Sequence, residues 1–421
     1  MTVRLSTLPS GLRVITHAMG HLETASIGVW IDVGARNEPA DLNGVSHILE
    51  HMAFKGTSRR RARDIAEEIE SVGGHLNAYT SREHTTYYAR VMKDDLPLAI
   101  DLLADILQHS LLEPDELSRE KDVILQEIGQ VEDTPDDVVF DHLQEVAFPG
   151  QPLGRSILGT SDRVSNFTTD MLRNFMRRHY HAGAMVITAA GNVDHDALCA
   201  AIDAAFADLP DASTRPIERA VYGGGELRSD KPLEQLHLAL GFESLAYADA
   251  DYYALQVFTT VLGGGMSSRL FQEIRENRGL AYSIYSFASS HVDTGLFGIY
   301  AGTGPEEARE MLPLIATEMH KLADGPDDNE IARARAQLKA GLLMSLESTS
   351  SRIEQLGRQA LIFGRPIPID EMIAKVDAID ATAVARVAAR TLASPLSVAT
   401  VGPSANVADL GSLQSLFGRL A

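Results

Sequence analysis

Two histidines and a glutamate in one short segment are the side chains of this sequence best suited to chemistry. The segment reads His47-Ile48-Leu49-Glu50-His51. If it is helical, His47, Glu50 and His51 stand at positions i, i+3 and i+4, so the three side chains project from one face. Two imidazoles and a carboxylate in one small volume suit a catalytic zinc ion, which binds neutral ring nitrogens and needs a base beside its bound water.

The order H-x-x-E-H is the inverted form of the H-E-x-x-H zinc helix. A solvated helix face that carries two histidines and a glutamate is the alternative. A third ligand would distinguish the two, because catalytic zinc sites take three protein ligands and leave the fourth position to water. Glu120 and Glu127 are two turns apart on a predicted acidic helix, so they lie on the same side of it and either could approach the metal. For each of them the alternative is an ordinary acidic surface position.

Length and charge limit the class of protein. A chain of 421 residues predicts two domains or two fused repeats. It has 37 basic and 58 acidic side chains, which give a net charge of −21. Such a surface repels nucleic acid and anionic lipid, so we expect neither as a partner, and it favours basic peptides.

The single cysteine and the N-terminal sequence indicate a compartment. Cys199 has no second cysteine to pair with, and it falls on an amphipathic helix where it reads as a small apolar residue. The N-terminus lacks the apolar run of a signal peptide, and no stretch approaches the ~20 apolar residues of a membrane span. We therefore expect a cytoplasmic protein.

The elements that must position these side chains occur in an order that appears twice. In the first copy we predict strands at 12–16 and 25–33, the H-x-x-E-H helix, a helix at 63–72, a hairpin at 75–80 and 85–91, and helices at 96–107 and 115–131. In the second copy we predict a strand at 235–242, helices at 252–262 and 268–276, a hairpin at 281–287 and 295–301, and helices at 305–322 and 327–347.

This repetition predicts an α+β protein made of two tandem homologous α/β-sandwich units, each a mostly antiparallel sheet with helices packed on it. We place a zinc-bearing catalytic domain at 1–212, a linker rich in Pro and Gly at 213–232, and a homologous domain without metal at 233–421.

The two copies differ in chemistry. When Glu116 is placed on Glu330, Glu120 falls on Ala334 and Glu127 on Gly341. The second copy also has no H-x-x-E-H segment. This comparison predicts a reactive site in the first half and a scaffold or substrate-holding role in the second.

The motifs together resemble those of the pitrilysin family of zinc metallopeptidases, which includes insulin-degrading enzyme and the mitochondrial processing peptidase. The similarity covers nearly the whole chain, and the chain length fits the bacterial branch that is similar to the processing peptidase. The motifs that carry it are the H-x-x-E-H segment with Glu120 and Glu127, Gly73-Gly74-His75-Leu76-Asn77-Ala78-Tyr79-Thr80, Gly263-Gly264-Gly265-Met266-Ser267-Ser268-Arg269, and Gly279-Leu280-Ala281-Tyr282.

The resemblance implies the roles of the metal site. His47, His51 and Glu127 match the ligands of one zinc ion per chain, and Glu50 matches the catalytic base. Glu120 matches a supporting acid that orients a ligand histidine.

The resemblance also implies how a substrate is held. Asn77 and Ala78 match an edge strand that pairs with an extended peptide, and an ordinary strand is the alternative. Phe54 matches an apolar subsite residue after the scissile bond, with core packing as the alternative. Asp137 and Asp141 match acids that hold an arginine upstream of the cut, although Asp137 replaces a glutamate and has a shorter reach.

Arg275 and Tyr282 match a pair that the family directs to the substrate carbonyl from its second half. By this resemblance the chain would form a homodimer with two composite sites. The implied function is a zinc-dependent endopeptidase that cleaves extended peptides or presequence-like segments near basic residues. A catalytically silent core-like subunit, or a partner subunit of a processing complex, is the alternative, and the intact metal-site residues argue against it.

Overall fold

A computed structural model describes residues 3–210 and 217–418, so residues 213–216 of the predicted linker lie outside the described part of the chain. Eleven strands form two sheets within these ranges. The strands are β1 Val3–Thr7, β2 Arg13–Ala18, β3 Thr24–Ile31, β4 His75–Thr80, β5 Thr85–Met92, β6 Met185–Gly191, β7 Gly225–Ser229, β8 Leu236–Ser244, β9 Ala281–Ser290, β10 Gly295–Thr303 and β11 Leu396–Val401.

Fifteen α-helices surround the sheets in the same described ranges. They are α1 Val45–Ala53, α2 Ala62–Ser71, α3 Leu96–Gln108, α4 Pro114–Glu132, α5 Pro135–Ala147, α6 Ser161–Asn166, α7 Thr169–His179, α8 His195–Ala205, α9 Tyr252–Gly263, α10 Ala308–Asp324, α11 Asp328–Ser345, α12 Thr349–Phe363, α13 Ile369–Asp377, α14 Ala381–Leu392 and α15 Leu410–Phe417. None of these helices is long and apolar enough to cross a membrane.

Both sheets are mostly antiparallel. The first has the order β1-β2-β6-β3-β5-β4 and the second the order β7-β11-β8-β10-β9. The pairs β2–β6 and β7–β11 are parallel, and every other pair is antiparallel. In each sheet the hairpin places its first strand, β4 or β9, at an edge. The prediction of two α/β units with mostly antiparallel sheets is confirmed.

The predicted elements of both copies have observed counterparts whose ends differ by a few residues. One element differs in type. The segment predicted as an α-helix at 268–276 ends in a π-helical turn, Phe271–Glu276. The hydrophobic periods used for prediction are local, so they locate such elements well but leave their last residues undecided.

The chain divides into two compact units, and each takes segments from both halves of the sequence. The first unit comprises Met1–Ile128, Ser156–Glu218 and Leu343–Ile367, and the second comprises Gly129–Arg155, Arg219–Leu342 and Pro368–Ala421. This division differs from the sequence boundaries at 212 and 233, because one helix from each half packs on the sheet of the other half. Within the predicted linker, Gly225–Ser229 forms β7.

In the first unit α12 covers one face of the six-stranded sheet. Its Gly357 lies against the ring of Trp30, and a Cβ there would come within 2.2 Å of that ring. Trp30 donates its indole N–H to the Thr188 hydroxyl at 2.7 Å, and Thr188 in turn donates to the carbonyl of Ile353 at 3.0 Å. A sheet whose strands β3 and β6 are buried almost throughout needs a helix on each face, and α12 supplies the second layer.

In the second unit α5 has the corresponding place on the five-stranded sheet. Its Val139 and Leu143 are buried against Ala239 of β8 and Ala399 of β11. Gly241 of β8 leaves room for Leu143, because a Cβ there would come within 2.9 Å of it. The acids of α5 are therefore held on a helix with a fixed orientation on its own sheet.

Candidate metal centre

Helix α1 forms because one of its faces is apolar and its N-terminus is capped by a buried carboxylate. Val45, Ile48, Leu49 and Met52 are buried in the core of the first unit. Glu38 precedes the helix, is 1% exposed, and accepts hydrogen bonds from the backbone N–H groups of residues 44 and 46 at 2.7 and 2.8 Å. Two of the N–H groups that a helix start leaves unpaired are thereby satisfied.

Gly44 allows this entry into the helix. Its φ of 96° lies in the left-handed region, and a Cβ would come within 2.7 Å of the carbonyl oxygen of Leu158. Burial raises the pKa of Glu38 to about 7, although the hydrogen bonds that it accepts act to lower this pKa. The start of α1 is thus fixed by a turn that only glycine fits.

The opposite face of α1 carries the candidate ligands. His47 Nε2 lies 3.7 Å and His51 Nε2 lies 3.8 Å from Glu127 Oε2 on α4. One donor atom from each of these three residues lies within 4.8 Å of the other two. Ligand atoms of a tetrahedral zinc ion with bonds near 2.0–2.1 Å are about 3.3 Å apart, so each of these two histidine–glutamate distances is a few tenths of an ångström wider than that ideal.

The chemistry of the three donors also fits zinc. Burial, together with the neighbouring His51, lowers the pKa of His47 to about 4, so this imidazole is neutral at neutral pH and keeps its lone pair. Two imidazole nitrogens and one carboxylate form a donor set used by catalytic zinc sites. The structure therefore brings together the three residues predicted as ligands, and they would hold the ion.

Glu120 orients His51 and is itself held by a residue that the sequence analysis did not identify. His51 Nδ1 lies 3.0 Å from Glu120 Oε2, and the Lys55 ammonium lies 2.6 Å from Glu120 Oε1. Burial opposes ionisation of Glu120, but the hydrogen bonds from Lys55 and His51 outweigh it and lower the pKa of the carboxyl. An ionised Glu120 accepts the Nδ1–H of His51 and leaves Nε2 for the metal.

Replacing Lys55 with Met should weaken zinc binding by about tenfold, because Glu120 loses the cation that keeps it ionised and becomes a poorer acceptor for His51. A competition titration with a chromophoric zinc chelator measures this change. Lys93→Met is the matched control, since Lys93 pairs with Glu23 at 2.8 Å on the surface and should leave the affinity unchanged. Equal zinc affinity in both variants would contradict the role of Lys55.

Glu50 lies on the same face of α1 as the two histidines. Its Oε2 accepts a hydrogen bond from the Thr80 hydroxyl at 2.7 Å. Burial raises the pKa of Glu50, and the bond from Thr80 opposes that rise. A carboxylate whose pKa is raised toward neutrality accepts a proton more readily, as a general base requires.

The predicted substrate-edge residues lie on an edge strand. Asn77 and Ala78 pair with Tyr88 and Tyr87 of β5, and the other side of β4 has no partner strand among the described residues. Asn77 Oδ1 accepts the backbone N–H of Ala78 at 2.8 Å. At a sheet edge, the carbonyl of an incoming peptide could replace this side chain as the acceptor of the Ala78 N–H.

Phe54 ends α1 and packs partly against the core of the first unit, with its ring 6.2 Å from the ring of Tyr87. It is half-buried, so it takes part in core packing and still presents some surface. The structure is compatible with both of the roles considered for it.

The remaining predicted residues belong to the second unit. Asp137 and Asp141 stand one turn apart on α5, the first exposed and the second half-buried. The Arg275 guanidinium lies 5.2 Å from the ring centroid of Tyr282, which is 75% exposed, and 4.8 Å from that of Phe271. Arg275 lies in the π-helical turn, and its guanidinium makes cation–π contacts with both rings.

Sequence reasoning missed Glu38, Lys55 and Thr80. Lys55 lies one turn after His51, a spacing that could have indicated a charge on the same side of the helix. Nothing in the local sequence indicates that Glu38 caps α1 or that Thr80 reaches Glu50, because both contacts depend on how the chain folds back.

Comparison with known families gives matches over most of the chain. A family profile described as insulinase, peptidase family M16, matches residues 13–161. A second, described as the peptidase M16 inactive domain, matches residues 166–338.

Three relatives match over nearly the whole of this chain, and two of them are named as zinc proteases. An uncharacterized zinc protease of Streptomyces coelicolor is 42% identical over 96% of this chain and 90% of the relative. The probable β subunit of the mitochondrial-processing peptidase of Arabidopsis thaliana is 43% identical over 96% and 79%. An uncharacterized zinc protease of Bacillus subtilis is 37% identical over 96% and 99%.

Two solved structures share the fold. A chain from complex III2 of Candida albicans matches with a TM-score of 0.88 and 23% identity over 99% of this chain and 100% of that one. A Pseudomonas fluorescens peptidase M16 inactive domain matches with a TM-score of 0.89 and 21% identity over 96% and 98%. At these identities the likeness concerns the fold alone.

Proposed function

Because the chain belongs to peptidase family M16, whose members similar to it are named zinc proteases, we propose that it is a zinc-dependent endopeptidase that cleaves extended peptides. The observation that carries the proposal is the convergence of His47, His51 and Glu127 beside Glu50. The chain retains a complete donor set and a base, which a silent subunit has no need to keep.

In this proposal one zinc ion per chain is held by His47, His51 and Glu127. When bound, zinc lowers the pKa of a coordinated water and polarises the scissile carbonyl. Glu50 would take a proton from the attacking water and later give it to the leaving nitrogen, so the peptide bond and one water yield a carboxylic acid and an amine, which ionise to a carboxylate and an ammonium group. Glu120 and Lys55 keep His51 in the tautomer that leaves Nε2 free.

The substrate would bind as an added strand on β4. Its backbone would take over the Ala78 N–H from the Asn77 side chain, and Phe54 would contact an apolar side chain just after the cut. Asp137 and Asp141 would pair with a basic side chain upstream of it. The net charge of −21 favours the approach of such a peptide.

Arg275 and Tyr282 would donate hydrogen bonds to the carbonyl oxygen as negative charge develops there. We assign them to a second molecule, so that a homodimer contains two composite sites. Support comes from the second unit, which contributes no cluster of possible metal ligands among its described residues yet presents an exposed phenol stacked on a guanidinium.

The test is metal analysis and peptide cleavage by the purified chain. We expect about one zinc per chain, cleavage of an extended basic peptide carrying a fluorophore and a quencher, loss of cleavage on chelation and recovery when zinc returns. A chain without zinc and without cleavage would instead support the alternative, a silent core-like subunit or a partner subunit. The fold is compatible with that alternative, because a chain of complex III2 has the same fold.

A further inference from the structure

The last residue of β4 makes a direct hydrogen bond to the base. The Thr80 hydroxyl lies 2.7 Å from Glu50 Oε2, and its next acceptor, the carbonyl oxygen of Ser46, is 3.5 Å away. A hydroxyl donates a single proton, so the shorter contact determines that it goes to the carboxylate.

The alternation of β4 explains why Thr80 reaches α1. Side chains of a strand alternate between faces, so Thr80 shares a face with Ala78. Tyr79 lies on the other face, where its ring is 6.4 Å from that of Trp30. Helix α1 packs along β4, which brings Glu50 opposite the strand end.

We propose that Thr80 is a positioning residue that fixes the Glu50 carboxylate and thereby couples substrate binding on β4 to the base. The proposal rests on the proposed function. A carboxylate has two oxygens, so a bond to Oε2 restricts the rotation of the group and sets the direction in which its remaining lone pairs can accept a proton. Because the same strand would pair with the peptide backbone, it sets the position of both the scissile bond and the base.

A set of three variants tests this role in the zinc-loaded protein. Thr80→Val keeps the shape and removes the hydroxyl, and Thr80→Ser keeps the hydroxyl. Thr86→Val is the matched control, since Thr86 is buried on β5, pairs with Tyr79, and therefore lies on the other face of the sheet. Turnover of the quenched peptide and zinc content are measured for each.

Thr80→Val should lower kcat at least about tenfold, while KM stays within about twofold and the zinc content is unchanged, because the base loses its orientation but the strand edge remains. Thr80→Ser should restore most of the turnover, and Thr86→Val should change neither constant. Unchanged kcat in Thr80→Val, or an equal loss in Thr86→Val, would overturn the proposal.

A second measurement does not depend on activity. In the metal-free chain, Thr80→Val should lower the melting temperature by several degrees, because the half-buried Glu50 loses the hydroxyl that donates to its Oε2. In a Glu50→Ala background the same change should have little further effect. Equal shifts in both backgrounds would contradict the coupling. If the wild-type chain cleaved no peptide, the proposed function would fail, and this cycle would still test whether Thr80 holds Glu50.

Discussion

A chain carrying Glu50→Gln should bind zinc as the wild type does and lose about 10²–10⁴-fold in peptidase turnover, the usual contribution of a general base. Glutamine has nearly the same shape and can still accept the hydrogen bond that Thr80 donates at 2.7 Å. It cannot take a proton from water. Since His47, His51 and Glu127 are unchanged, the zinc content should not fall, and turnover and zinc content measured on the same preparation separate the two effects.

Glu67→Gln makes a suitable control. Glu67 lies exposed on α2 and pairs with Arg63 at 2.6 Å, so the same chemical change there should leave turnover unaltered. A Glu50→Gln chain with bound zinc and turnover within a few fold of wild type would show that another group acts as the base.

The second prediction with a large expected effect concerns the composite site. Glu50→Gln and Arg275→Ala chains should each be almost inactive, and mixing them should restore activity. After random exchange half of the dimers are mixed, and each mixed dimer has one site with both Glu50 and Arg275 intact. About a quarter of the sites, and thus about a quarter of wild-type activity, should return.

The control for this experiment mixes Glu50→Gln chains with chains that carry both Glu50→Gln and Arg275→Ala. No site in that mixture contains Glu50, so no activity should return. Subunit exchange is checked independently with two fluorescent labels. Exchange without recovery in the first mixture would exclude a site shared between two molecules.

Much of the fold could be predicted from the sequence, because sheet and helix periods are local. The hairpin of β4 and β5 and the long helix α4 agree with their predicted ranges within a few residues. The exchange of α5 and α12 between the two halves could not be predicted in this way. Nothing within 349–363 indicates which sheet its apolar face will cover, since packing partners far apart in sequence leave no local period.

For the metal site, too, some features could be predicted from the sequence and others could not. The sequence by itself determined that His47, Glu50 and His51 share one face, because a helix places residues i, i+3 and i+4 together wherever it is found. It also offered Glu120 and Glu127 of α4 as candidates for the third ligand, and the family resemblance selected Glu127.

Only the tertiary structure decided what holds these groups in place. Three contacts across turns or between elements do this. They are the ion pair of Lys55 with Glu120, the hydrogen bonds from the start of α1 to Glu38, and the hydrogen bond from Thr80 to Glu50. The contacts of Lys55 and Thr80 form only after α4 and β4 have packed against α1, and the contact of Glu38 forms only when the turn before α1 folds back on the helix start. The identity of the reactive groups is therefore local information, and their orientation and ionisation are properties of the fold.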